Sequence, residues 1–244
     1  DDGLVAAGKA AATVNLYLIA ARKFFSFLCD DAGIYPNITR GLKSGVKPST
    51  GHKRDALTKH QARELCNSVE GNKVKDLRDR AIVALMVSCG LRTIEVIRAD
   101  VSDIRNGFLY VQGKGRNDKA ECVRLAPQVE KLIRFYLMKR KAKRGEPLFT
   151  SVSNNNKGGR LTTAYIRSLI KKQLRSIGLD SDRLTAHSLR HTAATIALLE
   201  GETVENVQMI LRHRSISTTQ IYRHDLNRFK NFGECRIADA IFGR

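Results

Sequence analysis

The sequence predicts a mainly α-helical chain with one small antiparallel β-sheet, an α+β arrangement. Three observations predict it. Apolar residues recur at helical spacing through most of the chain. Helix start and stop residues bracket several of those stretches, as at Thr58 and Gly90. One region alone, around 108–125, sets short apolar runs on either side of Gly, Asn and Asp, as a hairpin does.

Residues 1–12 are small and Ala-rich, with no clear period. Val14, Tyr17, Leu18, Ala21, Phe24, Phe25 and Leu28 then follow helical spacing, and the helix they predict ends near Gly33 and Pro36. Its apolar face needs a cover that the nearby sequence hardly offers. Residues 43–57 are rich in Ser, Gly, Lys and Pro and read as a linker. Thr58 and Gln61 have capping-box spacing, which starts a helix there. A second helix is expected over Leu77 to Cys89, with Gly90 as its stop. Phe108 to Gln112 and Glu121 to Leu125 are the two hairpin arms around 113–118. Further helices are expected over Val129 to Lys139, Thr163 to Ile177, His187 to Leu199 and Val204 to Arg212. Ser151 to Arg160 reads as a polar loop, and 236–242 as a small apolar tail.

The 244 residues suffice for one large domain and a small appendage. The unusual quantity is charge: 43 Lys and Arg against 24 Asp and Glu give +19. A domain this basic usually meets a polyanion, because neutralising phosphates releases counterions. Charge alone leaves ribosomal-type and membrane-surface proteins open. The five cysteines, Cys29, Cys66, Cys89, Cys122 and Cys235, form no CxxC pair, which argues against a zinc ribbon or a disulfide framework. Cys66 and Cys89 fall in apolar helical stretches and read as core thiols, and a reducing cytosol fits. No leader is visible. The longest uninterrupted apolar run, Ala81 to Val87, is far too short to span a bilayer. The chain begins with Asp1 rather than Met, so the expectation is a piece of a longer protein.

Several residues invite chemistry, and each has a bland alternative. His187 and Arg190 lie three apart in the first turn after Thr185, where backbone N–H groups and the helix dipole favour an anion. Taken alone, a solvated helix start that happens to carry His and Arg explains them more readily. His213 and Tyr222 lie nine apart; singly, a histidine after an apolar helix is structural and a tyrosine among apolar neighbours is core. Arg92 follows a helix stop, so it serves the preceding carbonyls or, with its fixed fork, phosphate oxygens. Lys114, between two glycines, is an exposed turn lysine unless a hairpin delivers it to a site.

Taken together, GLRTIE at 90–95, GKG at 113–115, HSLRHTAAT at 187–195 and LRHRSISTTQIYRH at 211–224 resemble the tyrosine recombinase family, also called the lambda-integrase family. The resemblance covers roughly 58–225. It implies the tyrosine recombinase catalytic-domain fold over 58–244, including a C-terminal tail, a linker at 46–57, and the C-terminal part of a helical, SAM-like core-binding domain over 1–45. It also implies that Arg92 and Arg190 grip the scissile phosphate, that His187 and His213 assist, and that Lys114 is the hairpin lysine. Tyr222 is then the nucleophile and Glu95 a supporting acid. Relatives usually have Leu-Gly-His where this chain has Leu211-Arg212-His213, so Arg212 either alters the local turn or reaches DNA.

The resemblance further implies cleavage and rejoining of DNA through a 3′-phosphotyrosyl intermediate and a Holliday junction, with no metal and no ATP. The partner is double-stranded DNA, with Lys43, Lys47, Lys53, Arg54 and Arg212 as candidate contacts. The expected assembly is a homotetramer on two DNA sites, with the tail docked in trans or folded back on its own domain. DNA-bending accessory proteins are possible partners, and no membrane is. The expected setting is the nucleoid of a bacterial or archaeal cytoplasm, for a phage, transposon or chromosome-dimer system. A type IB topoisomerase shares the Tyr, Arg, His and Lys chemistry, but the motif spacings favour the recombinase. A non-catalytic DNA-binding module sits poorly with the full set of chemical residues. A metal-dependent nuclease needs clustered carboxylates, which do not group around these motifs.

Overall fold

The computed structural model describes residues 2–31, 33, 37–42, 55–113, 115, 117–212. The chain divides into two compact units, Asp1–Gly51 and His52–Arg244. The first unit contains α1 (Asp2–Ala6) and α2 (Ala11–Asp31). The short α1 has no counterpart among the sequence expectations, and α2 begins three residues before Val14. Val14 is fully buried, whereas Leu16, Tyr17, Ile19, Phe24 and Phe27 are exposed. By length and composition alone α2 is long and apolar enough to cross a membrane. Arg22 and Lys23 interrupt its apolar sequence at mid-helix. Those two cations would lie at the bilayer centre at a cost of about 3 kcal/mol each, so the apolar surface reads better as a packing face.

The second unit is built on α4 (Val74–Cys89), which packs against α3 (Lys59–Asn67), α6 (Pro127–Arg140) and α8 (Ala186–Leu199). Leu77, Ala81, Ile82, Val83, Ala84, Leu85, Met86 and Cys89 of α4 are all buried, and from Ala81 on the helix is apolar nearly all round. Its partners bring Leu65, Ile133, Tyr136 and Leu189 to the same core. Thr58 caps α3 as its spacing predicts: Thr58 Oγ1 accepts from the Gln61 N–H, and Gln61 Oε1 accepts from the Thr58 N–H. Gly90 ends α4 in the left-handed conformation, φ 58°. The remaining α-helices among the described residues are α5 (Thr93–Arg98), α7 (Thr163–Ser176) and α9 (Val204–Leu211).

Among the described residues the sheet has three antiparallel strands in the order β1 (Ile104–Arg105), β2 (Phe108–Val111), β3 (Glu121–Arg124). Leu109 faces Val123 and Ile104 faces Leu109 across the two ladders. The sequence reading found β2 and β3 but not β1. Asn106 and Gly107 join β1 to β2 with φ of 51° and 77°, the two left-handed residues that a tight hairpin turn requires. The base of the β2–β3 loop is anchored by Lys119, whose ammonium bonds Asp100 at 2.7 Å and also Asp103. Burial pulls the Lys119 pKa down, but the two carboxylates outweigh it and hold it up.

Candidate active site

The site is assembled where α4 ends. Gly90 turns the chain out of the helix at a positive φ that favours glycine, and a Cβ there would lie 2.6 Å from Leu211 Cδ2 and 3.3 Å from Ala193 Cβ, so a larger residue would have to displace Leu211. α4 packs against α8, and the close approach at Gly90 brings in Leu211, the last residue of α9. Two residues on, Arg92 is the N-cap of α5. Glu95, fully buried in the first turn of α5, accepts the Arg92 backbone N–H on Oε2 at 2.9 Å and Arg92 Nη1 on Oε1 at 2.8 Å. The Arg92 side chain nevertheless stays 27% exposed.

α8 begins beside this turn. Thr185 caps it by accepting the His187 N–H, and Ser188 closes the box by accepting the Thr185 N–H at 3.0 Å. His187 is exposed and Arg190 buried. Arg190 Nη1 donates to the Gly90 carbonyl at 2.7 Å, and Nη2 donates to the Leu211 carbonyl. One guanidinium thus fastens the end of α4 to the end of α9. Leu91, Arg92, Thr93, Ile94, Thr163, Arg167, Thr185, Ala186 and His187 line an open cleft of about 780 Å³. Arg167, on α7, is a cation of this cleft that the sequence reading missed; nothing in its local sequence marks it off from other exposed helix arginines.

Glu95 is the electrostatic centre of the arrangement. Burial raises its pKa, but Arg212, the Arg92 backbone N–H, the Arg92 guanidinium and Arg190 together outweigh burial and bring it below the ordinary carboxylate range. Both motif arginines therefore lie close enough to act on one carboxyl. Arg212 corrects an expectation. It occupies the left-handed position after α9, φ 55°, as the altered turn suggested. Its side chain, however, is 4% exposed and turned inward, with Nη2 on Glu95 Oε2 at 2.8 Å. A guanidinium buried on a carboxylate is not placed to reach DNA.

Tyr165 is not primed as a nucleophile. Its hydroxyl donates to Asp79 and accepts from Arg78, and burial and Asp79 raise its pKa. The proposed nucleophile Tyr222, with Lys114, His213, Lys43, Lys47, Lys53, Arg54, Cys235 and the tail, lies outside the described residues. Among the thiols, Cys89 is buried and Cys66 half-buried, and burial raises both pKa values.

Residues 55–228 match the phage integrase family. The chain is 32% identical over 227 residues to a tyrosine recombinase XerC of Thermodesulfovibrio yellowstonii, covering 89% of this chain and 72% of that protein. It is 35% identical over 221 residues to a tyrosine recombinase XerD of Lacticaseibacillus casei, covering 88% and 73%. The fold is similar to that of the XerH site-specific recombinase solved on a palindromic difH substrate after cleavage, with TM-score 0.76, 25% identity, and 93% of this chain and 69% of that one covered. A lambda integrase (residues 75–356) dimer on a COC′ core site shares the fold at TM-score 0.66 and 18% identity, over 89% and 77%. The chain belongs to the phage integrase family and is a tyrosine site-specific recombinase.

Proposed function

We propose that this chain breaks and rejoins double-stranded DNA at a specific site, with Arg92, Arg190, His187 and His213 around the scissile phosphate and Tyr222 as the nucleophile. The observation that carries the reading is the cleft between the turn into α5, α7 and the start of α8. Arg92, Arg167 and His187 open into it, and Arg190 is bonded to the carbonyl two residues before Arg92.

The chemistry follows from charge. In-line attack on a phosphodiester concentrates negative charge on the non-bridging oxygens, and guanidinium and imidazole donors placed beforehand stabilise it. The Tyr222 oxygen gives up its proton to His187 and bonds to phosphorus as the bond to the 5′-oxygen breaks, leaving a 3′-phosphotyrosyl link. Lys114 supplies the proton that the departing 5′-oxygen takes up. Attack by the 5′-hydroxyl of another strand reverses the step, so the link conserves the phosphodiester energy. Glu95 supports the site by holding Arg92.

Relatives solved on DNA include a dimer on one core site, and the motif set fits a homotetramer on two sites with the C-terminal tail docked in trans. Lys43, Lys47, Lys53 and Arg54 are the linker cations suited to DNA phosphates, and DNA-bending proteins are candidate accessories. A chromosome-dimer, phage or transposon system, in a bacterial or phage-infected cytoplasm, is the setting.

Tyr222→Phe tests the reading. On a nicked suicide substrate run on a denaturing gel, the wild type is expected to form a covalent adduct. The variant should bind the same DNA and form none. An adduct persisting in the variant means another nucleophile.

A further inference from the structure

Arg212 is costly where it stands. A side chain in the left-handed region sets its Cβ too close to the following carbonyl oxygen, and glycine is the usual occupant after a helix end. The side chain contributes what glycine lacks. Nη2 bonds Glu95 Oε2 at 2.8 Å, and Nη1 bonds the Ile210 carbonyl at 2.7 Å. Nε lies 3.9 Å from Glu121 Oε2, at the start of β3 and the base of the loop that carries Lys114. Glu95 Oε2 also accepts the Arg92 backbone N–H. Arg212 and Arg92 therefore share one carboxylate, from elements far apart in sequence.

We infer that Arg212 is a positioning residue for DNA cleavage, holding Glu95 so that Glu95 aims Arg92 into the cleft without neutralising it. A carboxylate with one guanidinium partner draws that partner into a closed bidentate pair. Divided between two, it orients Arg92 through the backbone N–H and a single Nη1 bond while the Arg92 side chain stays open to the cleft. The same bond fixes the residue that immediately precedes His213 in sequence. Arg212 itself is buried away from phosphate, so it acts through Glu95 and touches no reacting atom.

The inference rests on the proposed role of Arg92. Arg212→Gly removes the guanidinium and suits the left-handed backbone. At saturating protein on the suicide substrate, R212G should cleave about tenfold more slowly than wild type, or worse, the usual scale for losing a group that orients a site residue. Its affinity for duplex DNA and the salt slope of that affinity should not change, because no phosphate contact is lost. Arg212→Lys should recover part of the rate, and R212G combined with E95Q should be no slower than E95Q alone. Arg212→Met, which keeps the buried aliphatic stem, carries the same comparison if the glycine variant melts below the assay temperature. Wild-type cleavage, losses that multiply with E95Q, or weaker binding with a shallower salt slope would each overturn the inference. Arg92→Ala is measured alongside. If it cleaves normally, the reading of the site fails and this inference with it; if it is inactive while R212G is normal, only the role of Arg212 falls.

Discussion

The two motif arginines are held in opposite ways. Arg190 is buried and bonded to two backbone carbonyls, of Gly90 and Leu211, which belong to the ends of different helices. Arg92 is partly open and bonded to a carboxylate three residues away in its own turn. The first arrangement ties chain segments together; the second aims a side chain. Two residues with one expected chemical role thus differ in how much of the fold depends on them.

The comparison breaks if the two respond alike to removal. Arg190→Ala leaves two buried carbonyls without their donor, at about 1–3 kcal/mol each. The expected result is a loss of about 2–6 kcal/mol of stability in urea unfolding, together with no detectable adduct. Arg92→Ala should spare the fold, because Glu95 keeps Arg212 as its partner. Stability should change by under about 1 kcal/mol, while single-turnover cleavage falls roughly a hundred- to thousandfold, the scale of losing one donor to a developing oxyanion. If Arg92→Ala unfolds the protein as Arg190→Ala does, the division between brace and aim is wrong.

A smaller effect sharpens the picture of Glu95. A carboxyl held below its ordinary range contributes stability that is fully present above about pH 4.5 and is lost as pH falls through the lowered folded value. Thermal melts from pH 6 downward should therefore show wild type losing stability faster than Glu95→Gln, so that the two curves converge in acid. Parallel curves would mean that Glu95 is not the titrating contact.

Much of this protein is written locally. Thr58 with Gln61 fixes the start of α3, and Gly90 the end of α4, because capping bonds span three or four residues and need no distant partner. The hairpin arms are equally local. α5 and β1 escaped the sequence reading because six and two residues are too few to show a period, and the Asn106-Gly107 turn signal beside β1 was passed over. The motif residues around Arg92, His187 and Arg190 were legible as a set, through resemblance rather than through any one of them.

What only the tertiary structure decided is direction. Nothing near Arg212 in sequence says that it turns inward, since the carboxylate that draws it lies 117 residues away. Nothing near Arg167 says that it opens into the cleft. A cation on a helix surface follows its nearest counter-charge and the room left by packing, and both are set by elements that meet only when the chain is folded.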